Sequence, residues 1–533
     1  MRCGLRNNLL IHYQLEKYWP AEFPEVVYRK IFMALLSLWI GASSALAQDR
    51  QYNLTGVTVY DPAEILGFVA QLAAQRSGVV DAGAIADVLE VIYREDGYFL
   101  AEVFIAADGS TLVVDEGEIG HLSIEGVNAD MFARIRSYMA PLVGRRAVTQ
   151  AEFERAIMLV EDIQSITATA EIDYPPGSST AEVRVIARNV DDAFGYVTLD
   201  HPSRALGEEV TLSFGERFTS LLTAGDLLRV DLSGTAELGG GDTSLSGALA
   251  YRFPFGSNGA YAEAYVGNVV ARRERDGTLA RTDIEGDTAI VALGYPVIRD
   301  VETFGYALFE LRRSGSSVTV ENDLGPDAVF DSEVTAVAVS WIEGRTLPAG
   351  GAWEYGLHLT YGERSGRQAG FDDGEENFTH LRFGIGYDHP VDWFGPESSV
   401  RLELWGQYSN DRLPGIEQFH IGGREEDRGY LFAEAQGDSG ASATLEVGRD
   451  LFPENSILTR YHPFGFLDAG WVRNNAPSRT GYAEEMFSSL GLGVDLEFTG
   501  GLFLRSYVAV PLLDGPTTEA GDPAVYLGLT KSW

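Results

Sequence analysis

The chain has 533 residues, with 78 acidic against 40 basic side chains and a formal charge of −38. That imbalance excludes nucleic acid as a partner, because phosphate binding needs clustered Lys and Arg. Apolar residues at 45% and aromatics at 11% exclude a disordered chain, and the length is enough for two or three domains.

Arg29 and Lys30 precede an apolar run over residues 31–47 that ends in Ala45-Leu46-Ala47. This is the pattern of a secretory signal, with cleavage expected after Ala47 and initiation nearer Val27 than Met1. The single cysteine, Cys3, falls upstream of that cleavage, so the mature chain is expected to be cysteine-free, as suits an oxidising compartment. No other stretch reaches the ~18 consecutive apolar residues of a membrane helix.

Residues 62–76 and 83–95 carry helical periodicity; in the second, Ile85, Val88, Leu89 and Ile92 share one face. Glu102–Ala106 and Thr111–Val114 read as strands around Asp108-Gly109. The theme then repeats. Leu122–Ile124 is strand-like, Met131–Met139 and Gln150–Asp162 are helical, and Ile166–Ile172 and Ala181–Ala187 are strands. The expected organisation is two α+β units over 48–119 and 120–190.

After residue 190 the helical period gives way to strict alternation. Trp353, Tyr355, Leu357, Leu359 and Tyr361 share one face, with Glu354, Gly356, His358 and Thr360 on the other. Leu228, Val230 and Leu232 alternate with Arg229 and Asp231 in the same way. Such strands, with 60 glycines and many aromatics, fit a transmembrane β-barrel better than a sandwich, whose strands are shorter. At roughly 20 residues per strand and turn, residues 191–533 allow about 16 antiparallel strands. The fold class expected is mainly β, a transmembrane barrel behind two small α+β domains.

Two stretches of the barrel are unlike surface loop. Gly422-Gly423-Arg424-Glu425-Glu426-Asp427-Arg428-Gly429-Tyr430 is dense in charge, and Gly465-Phe466-Leu467-Asp468-Ala469-Gly470 holds one acid in an apolar run. A lone acid inside a barrel needs an opposite charge, so Arg428 and Asp468 are expected to pair, folding a loop around 419–440 into the pore.

With these pieces placed, the chain resembles a two-partner secretion transporter of the hemolysin-activator type, within the outer-membrane insertase superfamily. Tyr93-Arg94-Glu95-Asp96-Gly97-Tyr98 and Val114-Asp115-Glu116-Gly117-Glu118-Ile119-Gly120 resemble motifs of the family's first POTRA domain and of the junction to its second. Glu154–Asp162 resembles a helix of the second, although Gln164-Ser165 stands where the family continues Pro-Gly. Gly422, Gly423, Arg428, Gly429 and Tyr430 are similar to the signature of the sixth extracellular loop, with Asp427 in place of the usual valine; Phe466, Asp468 and Gly470 resemble the strand that holds the loop arginine. Tyr93, Gly97, Tyr98, Glu116 and Gly117 are the corresponding POTRA positions, where core packing and turns are the simplest roles.

The resemblance implies an outer-membrane translocator embedded in lipid and inserted by the outer-membrane assembly machinery. It would take an unfolded partner exoprotein from the periplasm through its POTRA units and release it through the pore. Only Gln48–Tyr52 separate the expected cleavage site from the first unit, so the family's N-terminal plug helix is expected to be absent. An insertase that folds other barrels is the alternative, and a passive porin, which needs no periplasmic domains, is a weaker one. No catalysis, cofactor or metal is expected: Ala441 stands where a nucleophile elbow around Ser439 would need Gly, and the eight histidines form no metal motif. His420 and His462 are read as lone loop residues.

Overall fold

The computed structural model describes residues 52–533, apart from 78–80, 175–179, 190–192, 202–208, 239, 275–279, 322–326, 366–374, 455–456 and 478–480. The expected signal and its cleavage site lie outside the described residues.

The chain divides into two compact units. The first holds two repeats of one theme, strand, two helices and two strands. In the first repeat β1 (Asn53–Thr55) is followed by helices α1 (Pro62–Ser77) and α2 (Ala82–Glu95), then β2 (Glu102–Ile105) and β3 (Thr111–Asp115). The sheet runs β1-β3-β2, with β1 parallel to β3. Asp81 caps α2 by accepting from the backbone of Ala84, and Ile85, Val88, Leu89 and Tyr93 face inward as their spacing requires. The second repeat has β4 (Ile119–Glu125), α3 (Ala129–Met139), α4 (Gln150–Glu161), β5 (Ile166–Asp173) and β6 (Ala181–Asn189), in the order β4-β6-β5. A capping box between Thr149 and Glu152 starts α4, whose Phe153, Ala156, Ile157 and Val160 are buried.

The second unit is a closed antiparallel barrel of sixteen strands. It begins with β7 (Ala193–Asp200), β8 (Glu209–Thr219), β9 (Leu227–Glu237), β10 (Thr243–Pro254) and β11 (Tyr261–Arg273). Three long strands follow: β12 (Thr282–Arg299), β13 (Thr303–Val320) and β14 (Ala328–Thr346). Then come β15 (Ala352–Ser365), β16 (Asn377–Val391) and β17 (Ser398–Tyr408). A short internal hairpin of β18 (Phe419–Ile421) and β19 (Ala435–Gly437) precedes β20 (Ser439–Arg449), which pairs directly with β17. β21 (Leu458–Arg473), β22 (Glu484–Phe498), β23 (Leu502–Pro511) and β24 (Ala524–Ser532) finish the ring. β24 closes on β7 through Gly528↔Asp200 to Ser532↔Tyr196.

Alternation places Val291, Leu293, Tyr295 and Val297 of β12, and Leu357, Leu359 and Tyr361 of β15, on the exposed outer face. On the inner face Ser442, Thr444 and Glu446 of β20 and Asp468 of β21 are buried. The apolar surface is therefore outside and the polar one inside, the reverse of a soluble protein. No described helix is long and apolar enough to cross a membrane. His462 belongs to β21, with its Nδ1 2.8 Å from Asp450, so the loop reading for this residue is corrected. Its period-two neighbours, Arg460 and Phe464, carried that signal.

Candidate functional site

The candidate site is the segment between β17 and β20. Its strands pair with each other directly, so residues 409–438 leave the wall and return to it. They fold inward as the β18–β19 hairpin, registered Phe419↔Gly437 and Ile421↔Ala435. At its root Asp438, fully buried, accepts from the backbone N–H of Leu413 at 2.8 Å and of Asn475 at 2.8 Å, and from Gln418 at 3.1 Å. The tip turns sharply. Gly422, Gly423 and Gly429 have φ of +97°, +140° and +110°, a region that favours glycine, and a Cβ at 422 would lie 2.1 Å from the carbonyl oxygen of Leu431.

Arg428 is carried by this tip to the wall of β20 and β21. Its Nε donates to Asp468 Oδ2 at 2.9 Å, one terminal nitrogen to Asp468 Oδ1 at 2.9 Å, and the other to Glu446 at 3.0 Å. The backbone N–H of Arg428 also donates to Asp468, at 2.9 Å. Thr444 supplies Asp468 with a further hydrogen bond at 3.0 Å. The planar guanidinium binds one carboxylate at two points and still reaches a second acid, which an ammonium could not do.

The spacing of Phe466, Asp468 and Gly470 follows from the strand period, since all three face the lumen. Phe466 puts its ring centroid 3.4 Å from the guanidinium carbon, a cation–π contact. Gly470 leaves room for Ile421 and Asp427, which a Cβ would meet at 2.6 and 2.5 Å. Tyr430 stands edge-on to Phe487 at 5.1 Å and donates through its hydroxyl toward the carbonyls of Ser488 and Leu513, both at 2.9 Å. Asp427, in place of the valine of the signature, is fully buried at φ +48° and accepts from Ser442 at 2.7 Å.

Several further attachments were not singled out from sequence. Arg424 pairs with Asp200 of β7, and its carbonyl accepts from Tyr507 at 2.9 Å. Glu434 accepts from the backbone of Thr517 and Thr518, both at 2.7 Å. Glu417, before β18, is held by Arg312 and His380. The only sequence signal for these was their unusual charge density in a loop, which says nothing about partners.

The first small repeat carries a separate cluster. Glu116 is fully buried and accepts from the backbone of Thr58 at 2.6 Å and of Val59 at 3.1 Å, from the Thr58 hydroxyl, and from Tyr93 at 2.9 Å. Tyr93 lies within the core, and Tyr98 packs on it at 5.7 Å. Gly97 and Gly117 sit at φ +89° and +73°, and a Cβ at 117 would come within 2.3 Å of Leu100. These residues hold the end of β3 to the segment after β1, an arrangement of packing and turns.

Burial pushes the Glu116 carboxyl up, but the hydrogen bonds from Thr58, Tyr93 and Val59 outweigh it and hold the group below the usual range. A carboxylate lowered in the folded state stabilises above its unfolded value and loses that contribution as pH falls through the folded one. Amide protection of residues 53–60 in the full chain, corrected for intrinsic exchange, is therefore expected to fall below about pH 4. In Glu116→Gln it should be weaker at neutral pH and flatter with pH. An unchanged profile would remove the ionised carboxylate from the account.

A family model described as "haemolysin secretion/activation protein ShlB/FhaC/HecB" matches residues 195–497. Among solved structures, CdiB from Escherichia coli superposes with a TM-score of 0.71 at 17% identity, covering 93% of each chain. CdiB from Acinetobacter baumannii gives 0.71 at 12% identity, covering 91% of this chain and 89% of that one. BamA from Haemophilus ducreyi lacking POTRA domains 1–3 gives 0.53 at 15% identity, covering 90% and 100%. At these identities the structures share a fold. No curated protein matches the chain.

Proposed function

This chain belongs to the haemolysin secretion/activation protein family ShlB/FhaC/HecB, and from that premise we propose that it captures one unfolded exoprotein and passes it through the barrel when the 409–438 loop withdraws. It is an outer-membrane β-barrel transporter of the two-partner secretion type, with POTRA units in the periplasm. The observation that carries the gated reading is the Arg428 clasp, in which the loop's one deeply buried cation meets Asp468 and Glu446 on the lumen wall.

Capture is assigned to the small units because their sheets end in free edges. β2 is an edge strand whose Phe104 and Ile105 are half exposed. An extended segment can add there by main-chain hydrogen bonds with little demand on sequence. The chain carries no phosphate-binding loop, so folding of the exoprotein outside would supply the direction of travel.

The test is secretion from a host carrying this chain together with a secreted protein encoded beside it. The exoprotein is expected in the medium with the transporter and in the periplasm without it. The insertase reading predicts another result: loss of other outer-membrane barrels on depletion, with exoprotein export unaffected.

A further inference from the structure

We infer that Glu417 is a second lock on the loop, set on a different sector of the wall from Arg428; the inference rests on the loop withdrawal proposed above. Glu417 lies in a tight turn, Gly415–Glu417, on the arm leading into the hairpin, and is 1% exposed. A carboxylate taken so far from water persists only where several partners satisfy it. One Arg312 nitrogen, from β13, donates to both of its oxygens at 2.8 and 2.9 Å. His380 of β16 places Nε2 3.1 Å from Oε2, and Arg382 of the same strand comes within 3.6 Å. The arm's backbone is held too: the Glu417 carbonyl accepts from Arg382 at 3.1 Å and from Gln407 of β17 at 2.9 Å.

This cradle is costly in a chain with 78 acids and only 40 bases, since it gathers two arginines and a histidine at one lumen site. Without the loop the three would face one another with only Glu310 of β13 as a nearby acid. Their placement is therefore explained by the carboxylate they hold. The polarity is opposite to that of the tip, where the loop brings the cation and the wall the acids. In the order of strands round the ring, β13 stands six places from β21. Loss of the Arg428 clasp therefore loosens the tip, which Arg424 and Glu434 still tie, while the arm stays pinned, and full withdrawal needs both the clasp and the Glu417 contact broken. Glu417 is a positioning residue: it touches the wall of the pore and acts by where it keeps the loop.

The experiment is the open fraction of the purified full chain in planar lipid bilayers, with barrel folding checked by heat-modifiable gel mobility. Glu417→Gln keeps the shape and removes the charge. It is expected to raise the open fraction roughly tenfold or more, within the span of ordinary coupling energies. Arg312→Gln reads the same contact from the wall should Glu417→Gln not fold. Combining the two should open the pore no further than the stronger single variant, because they remove one interaction. Glu417→Gln with Arg428→Gln should multiply their separate effects. If Arg428→Gln opens the pore and Glu417→Gln does not, the second lock is wrong and the clasp stands. If neither opens it, the gated reading falls and this inference with it. Full additivity of Glu417→Gln and Arg312→Gln would refute their pairing.

Discussion

Arg428→Ala is expected to leave a folded, inserted barrel whose pore opens more often than that of wild type, with the arm at Glu417 still holding. The substitution removes three guanidinium hydrogen bonds and the contact with Phe466. It also leaves Asp468 buried without its cation, while Glu446 keeps Arg505 at 3.5 Å and Arg401 at 3.8 Å. Breaking one side of a buried pair costs about 3–5 kcal/mol, which moves the docking equilibrium of the loop by roughly two to four orders of magnitude. The barrel ladder does not depend on this side chain, so gel mobility should be that of wild type. Ion current through bilayers should rise by at least tenfold (an order-of-magnitude floor from those energies). Arg428→Lys should fall between the two, since an ammonium keeps the charge and loses the fork. Secretion by Arg428→Ala should drop if the docked state is needed to order the cycle. A closed pore in a correctly inserted Arg428→Ala barrel would remove the clasp from the mechanism.

The second large effect is expected from Gly470→Val, which leaves every charge in place. A Cβ at 470 meets Asp427 Oδ1 at 2.5 Å and Ile421 Cδ1 at 2.6 Å. The β21 backbone cannot retreat, because Gly470 is registered with Ser442 on one side and Phe487 on the other. The loop must therefore give way. Overpacking of this kind costs about 1–3 kcal/mol, so the undocked fraction should rise by roughly five- to 150-fold. Bilayer current is the measurement, and Gly470→Ala should show the smaller effect. If Gly470→Val stays closed, the hairpin is not seated against β21 in the working protein. Agreement between this variant and Arg428→Ala would show that docking, rather than charge alone, keeps the pore shut.

The barrel was legible because its signal is repeated in every strand. Alternation in Trp353–Tyr361 could be read without knowing any partner, and residue count gave the strand number. The unequal heights were not legible. β12, β13 and β14 run to 18, 18 and 19 residues, and alternation does not say where a strand leaves lipid. Within the loop, Arg428 and Asp468 could be matched because each is unusual in its own segment. Glu417 could not. Its partners Arg312 and His380 are 105 and 37 residues away in the chain, and each looks like any other polar residue on a lumen face. Gly470 was visible as a motif position, while its reason, the space taken by Ile421 and Asp427, exists only once the hairpin is docked.

The junction of β24 with β7 has a further consequence for how the protein is made. The hydroxyls of Thr198 and Thr530 meet at 2.8 Å across 332 residues of chain. A ribosome that has delivered β7 has therefore not yet delivered the strand that covers it. Until then its hydrogen-bonding edge stays unpaired, in a segment rich in alternating apolar side chains, a state prone to clumping. Synthesis and ring closure are thus separated in time, and the nascent polypeptide is exposed to aggregation until the last strand arrives.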